Sequence, residues 1–299
     1  MGAQLIGLGL TTLDHLMLLD SFNRPAGEMR VESFDIQGGG LIGSALVAAS
    51  RLGVETEVWA TIGTGPIGDW IVDGLAQEGV RTDRLRRVDE GDGPLILVFV
   101  DGETGERRFQ SGAWPRPAEP YPLDAAALDG AKCLLVDGSC PVEAPEAARL
   151  ARERGVPVVA DLSGVDGPAR AIAEAVDYLV VDENCARRVA EGGDPQEACR
   201  RLLELGPGVV VLTLGAKGCC YASGSGMTHV SAYEVDVVDT TGAGDCFHGA
   251  FCAGVIRGWE LPRIVEFASA AASINCRTLG GRSGLPSAEQ VEKFIEERR

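Results

Sequence analysis

The chain has 299 residues, a formal net charge of −17 and 45% hydrophobic residues. That acidity, without a Lys/Arg cluster, argues against a nucleic-acid partner. No apolar run reaches the roughly 18 residues of a membrane span, and the N-terminus lacks the basic region and cleavage site of a signal peptide. Nine cysteines without a CxxC pair read as small core hydrophobes in a reducing compartment, so a cytoplasmic protein is expected. Three histidines (His15, His229, His248) leave little material for a His-rich metal site or a Ser-His-Asp triad.

MGAQLIGLGLTTLDHL reads as a first strand. Residues 16–36 carry LMLLDSF, a Pro-Ala-Gly turn and MRVESFDI. Residues 95–110 carry LILVFVD, a Gly-Glu-Thr-Gly turn and ERRFQ. Both alternate like half-exposed strands and predict a small antiparallel sheet outside the main one. It would cover a site or form a dimer face; an edge extension of the main sheet fits the pattern equally. Between them, GGGLIGSALVAASRLG is a glycine turn into a helix. In the second half, CLLVDG, VPVVAD, YLVVD and VVVLTLG are short buried strands separated by helix-like stretches. Continuous apolar runs alternating with amphipathic segments predict an α/β fold with a mainly parallel central sheet covered on both faces. With no repeat and no low-complexity linker, one domain over residues 1–299 is the simplest organisation.

VVDTTGAGDCFHGAF (Val237 to Phe251) carries the chemistry. VDVV (Val235 to Val238) predicts the end of a strand, Gly242-Ala243-Gly244 a tight turn, and Ala243 to about Arg257 a helix apolar nearly all round, hence buried. Gly249 and Gly254 would let neighbouring elements come close. Free N–H groups at the start of such a helix favour an anion. Asp245 in its first turn is either a dipole-matching acid or a base for an alcohol. Its place beside an oxyanion site favours the base, with the helix end keeping it ionised. It would take a proton from a hydroxyl attacking phosphorus while the N–H groups of Gly242, Ala243 and Gly244 hold the moving phosphoryl group.

DTTGAGDCFHGAF closely resembles the C-terminal signature of the PfkB (ribokinase-like) carbohydrate kinases. The resemblance runs through nearly the whole chain. It implies a three-layer α/β sandwich with a β-flap as lid, here about residues 14–36 and 93–112. It also implies an ATP-dependent sugar kinase using Mg²⁺ and K⁺, dimeric through the lid. SF-D-IQGGG and GGRSGLP are most similar to the sulfofructose kinase and ketohexokinase side. By the same resemblance, Asp14, Gly39 and Gly40 hold the sugar, and Ser44 stands where the family has Asn. TLGAKG, with Thr213, Gly215 and Gly218, lines the nucleotide, and Ser269 lies near the adenine. Glu183, in an altered Asp182-Glu183-Asn184-Cys185, is tied to Mg²⁺. Asp239, Thr241, Asn275, Thr278, Gly280 and Gly284 surround the monovalent cation.

Arg107 and Arg108 are the few basic residues near the expected pocket, which favours a neutral sugar or a nucleoside over a sulfonated or phosphorylated sugar. A kinase for a nucleoside or another non-sugar alcohol is the alternative, with Trp59, Trp70 and Trp114 as candidate pocket aromatics. A catalytically silent nucleotide or sugar sensor is another. A dinucleotide-binding dehydrogenase is disfavoured, because no GxGxxG follows the first strand.

Overall fold

A computed structural model describes residues 2–25, 27–89, 91–112, 119–190 and 192–299. Its apolar runs become the strands of a nine-stranded sheet. Seven strands are parallel, in the order Val209–Thr213, Tyr178–Asp182, Val158–Leu162, Cys133–Asp137, Leu5–Leu8, Thr56–Trp59 and Val80–Arg81. An antiparallel hairpin, Cys219–Ser223 and Gly226–Val230, closes one edge.

Each central strand sends alternate side chains to opposite faces. Cys133 and Leu135 join a core under the helices Leu41–Arg51, Ala243–Ile256, Leu261–Asn275 and Ala288–Glu296. Leu134 and Val136 join a second core under Glu143–Glu153, Pro168–Ala175, Glu183–Val189 and Pro195–Leu203. Because both faces are covered, the strands read as unbroken hydrophobic runs. The fold is a three-layer α/β sandwich.

Helix Ala243–Ile256 is buried from Cys246 to Gly254. A Cβ on Gly249 would strike the Ala45 carbonyl, and one on Gly254 would come within 2.9 Å of Ile264. These glycines bring the flanking helices close and hold the site helix at the centre of its layer.

Two expectations need correction. The stretch Val235 to Val238 is not a strand; it is irregular and ends in a bend at Val238, with Val237 and Val238 exposed and Val238 N–H donating to the Cys276 carbonyl at 2.9 Å. With only isolated backbone bonds of this kind it forms no ladder. The second sheet, in the order Val31–Gly39, Thr12–Leu19, Leu95–Asp101 and Arg107–Ser111, is mixed and not wholly antiparallel. Each hairpin is antiparallel within itself, but the two meet through a parallel pair, Thr12–Leu19 beside Leu95–Asp101. The sheet also extends beyond the expected limits, and its first hairpin runs directly into the glycine turn at Gly39.

Candidate active site

Gly242 caps helix Ala243–Ile256 in a left-handed conformation, φ +70°. A Cβ there would lie 2.6 Å from Gly281, so an L side chain is excluded both by conformation and by space. The Ala243 N–H donates to the Thr240 carbonyl at 3.2 Å, so part of its donor capacity is spent in the turn. Gly244 is exposed at the mouth of the helix.

Asp245 sits in the first turn, half-buried. Burial and the neighbouring carboxylates Asp161 and Asp14 push its pKa well above the ordinary range, while Arg282 and a hydrogen bond from Ser44 oppose them. The helix end alone therefore does not keep it ionised, contrary to the sequence expectation. Desolvation and like charge outweigh a helix-terminal effect that is itself modest.

On one side of Asp245 lies a cleft of about 240 Å³. Thr213, Gly215, Gly218 and Ser269 line it together with Ala243 and Gly244. The four expected nucleotide contacts, which span 56 residues of sequence from Thr213 to Ser269, thus meet at the mouth of the anion turn. Gly218 has φ +87°, and a Cβ there would collide with the Val230 carbonyl and lie 2.6 Å from the Ala232 nitrogen, so glycine is needed at this close backbone approach.

On the other side stands the strand carrying Asp14. Its carboxylate accepts from Thr12 Oγ1 at 2.5 Å, and burial raises its pKa. A Cβ on Gly39 would overlap that carboxylate, which is why glycine is needed there. Gly40, φ +82°, caps helix Leu41–Arg51, whose buried Ser44 faces Asp245.

A model of the pfkB family carbohydrate kinases matches residues 4–288. The chain belongs to that family. It is therefore a sugar kinase, a phosphotransferase with an alcohol acceptor. The ribokinase of Haemophilus influenzae is 26% identical over 297 residues, covering 97% of each chain. A provisionally named ribokinase from Agrobacterium tumefaciens superposes with a TM-score of 0.93 at 24% identity, over 100% of this chain and 99% of that one. The Arabidopsis thaliana ribokinase, solved with ribose and ATP, gives 0.86 at 21%, over 99% of both chains.

The remaining expected residues of this kinase fall into two groups. Asp239, Thr241, Asn275 and Gly280 converge behind the anion turn. The Asp239 carboxylate accepts from Thr241 N–H at 2.9 Å and Oγ1 at 2.8 Å, and from Gly280 N–H at 2.8 Å. Asn275 Nδ2 donates to the Thr241 carbonyl at 3.2 Å, and its Oδ1 is buried with no partner. A Cβ on Gly284 would come within 2.6 Å of the Asn275 carbonyl, and Thr278 N–H closes a turn on the same carbonyl. Glu183 stands apart, exposed enough to pair with Lys217 at 2.9 Å and Arg187 at 3.0 Å. Asp182 caps its helix by accepting from Cys185 N–H at 2.7 Å. Among the described residues no cluster of three or more His, Cys, Asp or Glu side chains is placed to hold a metal.

Trp59 is core, its Nε1 bonded to Glu57 at 2.8 Å, and Trp70 lies on a different cavity beside Arg51 and Glu78. Neither lines the cleft beside Asp245; Trp114 lies outside the described residues.

Sequence reasoning missed Arg282, Asp161 and His248. Arg282 is 7% exposed, and burial lowers its pKa to about 10. Asp161 is the next-to-last residue of the strand Val158–Leu162; burial, Asp137 and Asp182 raise it to about 8. His248 Nδ1 lies 2.6 Å from the Gly244 carbonyl and 3.3 Å from Asp161, and burial lowers it to about 4. The available signal was an arginine in a glycine-rich loop, GGRSG, and an aspartate closing an apolar strand.

Proposed function

We propose that this kinase transfers the γ-phosphoryl group of MgATP to a hydroxyl of a small neutral sugar, with Asp245 as general base. The observation that carries this reading is the position of Asp245: the start of its helix, at Ala243 and Gly244, lines the cleft shared by Thr213, Gly215, Gly218 and Ser269, while Asp14 and Ser44 act on its carboxylate.

Asp14 and Ser44 hold the sugar hydroxyls, with Gly39 and Gly40 allowing close backbone approach. The acceptor hydroxyl gives its proton to Asp245 as its oxygen attacks phosphorus in line. The N–H groups of Gly242 and Gly244, with a share from Ala243, stabilise the charge on the transferring group. Thr213, Gly215, Gly218 and Ser269 line the nucleotide. A raised pKa suits a base for an alcohol, because a more basic carboxylate is the better proton acceptor. Arg282, the buried arginine among the described residues, is already balanced by Asp14 and Asp245, which leaves no spare buried cation among those residues for a second substrate anion.

Mg²⁺ would neutralise phosphate charge; with no acidic cluster among the described residues to cage it, phosphates and water would complete its octahedron, and Glu183 would act through water. The unpartnered Asn275 Oδ1 beside the Asp239 carboxylate fits a monovalent cation such as K⁺, which would stiffen the loops behind the anion turn.

The four-stranded sheet serves as the lid, covering the sugar and excluding water as a competing acceptor. Arg107 reaches from it to Thr241 Oγ1 at 3.3 Å. Its exposed Val31, Phe34, Ile36 and Phe109 are a surface for a second copy of the chain.

The test is ATP consumption with Mg²⁺ and K⁺ across ketoses, aldoses, nucleosides and charged sugars, beside Asp245→Asn. Stimulation by one sugar, reduced roughly 10²-fold or more in a folded, ATP-binding variant, is the expected result. A near-normal rate in Asp245→Asn removes the base; stimulation by nucleosides alone removes the sugar.

A further inference from the structure

The face of the four-stranded sheet that carries Asp14 also carries one cation. Side chains alternate across a sheet, so register decides which of them share a face. Asp14, Leu16 and Leu18 lie on one face of the strand Thr12–Leu19, opposite Ile96, Val98 and Val100. Phe109 and Arg107, opposite Val98 and Val100, continue that face onto the edge strand. Leu16, Val98 and Val100 are buried on it. Among the described residues Arg107 is the one Lys or Arg of this face. Arg108 belongs to the other face, where it covers the Phe22 ring at 4.1 Å and pairs with Glu106 at 3.0 Å.

Arg107 reaches the body of the protein at the anion turn. Its Nη1 donates to Thr241 Oγ1 at 3.3 Å, and Thr241 directly precedes Gly242. The Thr241 hydroxyl gives its own proton to Asp239 at 2.8 Å, so its oxygen is an acceptor for the guanidinium. Among the described residues Arg107 has no carboxylate partner and no second hydrogen bond. The rest of its fork of N–H donors is therefore free. In a chain of net charge −17, a half-buried arginine without a counter-charge is a place for an anion. A planar guanidinium fits phosphate oxygens two at a time.

The register also says which anion. Asp14 stands opposite Ile96 and Arg107 opposite Val100, four residues further along the same strand. At the rise of an extended chain this is about 13 Å, with two strand spacings across the sheet besides. The Asp14 end of the face holds the sugar, and the Arg107 end meets the turn where phosphate is transferred.

We propose that Arg107 is a catalytic residue supplied by the lid, its guanidinium donating to the oxygens of the transferring phosphoryl group together with the N–H groups of the anion turn. This rests on the reading of that turn as the phosphoryl site. As the acceptor oxygen bonds to phosphorus, the bond from phosphorus to the leaving ADP oxygen breaks and the hydroxyl proton passes to Asp245. Arg107 keeps its protons and balances the charge spread over the remaining phosphoryl oxygens. Because the lid carries it, this stabilisation is complete only where the lid also covers the sugar.

The test compares, by calorimetry, the binding of MgADP with that of MgADP plus aluminium fluoride, a mimic of the transferring group. Wild type is set beside Arg107→Met, Arg107→Gln and Arg108→Met, with thermal unfolding as the check on folding. Arg107 already lies at Thr241, so neither titration needs an acceptor. In Arg107→Met the affinity for the fluoride complex falls roughly tenfold or more beyond any change for MgADP alone, and kcat for sugar-dependent ATP consumption falls roughly 10²-fold. Arg107→Gln keeps an N–H donor for Thr241 but loses the charge and the fork. It shows the same loss, and it decides the question if Arg107→Met does not fold. Arg108→Met matches wild type.

Recovery in Arg107→Gln would make Arg107 a pin between lid and turn and overturn the proposal. So would equal losses for MgADP and its fluoride complex, a change confined to the KM for sugar, or an equal effect in Arg108→Met. A wild-type protein that binds MgADP no more tightly with aluminium fluoride removes the phosphoryl site, and Arg107 with it. Asp245→Asn is assayed in parallel. A near-normal rate there, beside a selective loss in the Arg107 variants, removes the base and leaves Arg107 in its role.

Discussion

The Asp239 carboxylate and the Gly280 N–H meet at 2.8 Å across 41 residues of chain. One oxygen of that carboxylate holds the loop leading into the anion turn, through Thr241; the other holds the loop after helix Leu261–Asn275. A single buried side chain thus joins the segment that presents Gly242 to the segment that presents Arg282.

Asp239→Ala leaves the Thr241 and Gly280 N–H groups without their acceptor in a buried setting. The expected cost is on the order of 2–3 kcal/mol, read from urea unfolding, with a fall in kcat and loss of any response to K⁺. A variant as stable as wild type, with an unchanged response to K⁺, would contradict this account.

Asp161 gives a pH signature of stability. Its folded pKa is raised to about 8, against an unfolded value of about 3.9. Its contribution to stability is therefore fully present below the unfolded value and is lost as pH rises through the folded one. Asp161→Asn removes that loss, so the variant gains stability relative to wild type between about pH 5 and pH 8. Denaturant unfolding at the two ends measures it; parallel curves would show that Asp161 ionises in the fold as easily as in the unfolded chain.

Ser269 is buried at the wall of the nucleotide cleft. Ser269→Leu fills part of a cavity of about 240 Å³, and the expected result is a KM for ATP raised roughly tenfold, equivalent to about 1.4 kcal/mol. The KM for sugar is expected to change little, since Asp14 and Ser44 lie on the other side of Asp245. Equal changes in both constants would place Ser269 elsewhere than in nucleotide binding.

Much of this was legible in the sequence. The strand Tyr178–Asp182 has the limits its apolar run implies, and helix Ala243–Ile256 begins where Gly242-Ala243-Gly244 says it must. Turn chemistry and hydrophobic period act over a few residues, so they are written locally. The stretch Val235 to Val238 misled because a valine-rich run has β character whether or not a partner strand exists; here it bonds only singly to Cys276. The lid misled in a similar way, since each hairpin shows its own antiparallel pairing and nothing in it states how two hairpins dock.

The amino-acid sequence by itself determined the layers, the anion turn and the place of Asp245, because glycine, apolar period and helix start are properties of neighbouring residues. Only the tertiary structure decided the charge balance around that carboxylate. Arg282 meets Ser44 across 238 residues and Gly39 across 243, and Asp161 approaches from a different strand. Ionisation depends on burial and on charges within a few ångströms, and those distances exist only once the chain has folded.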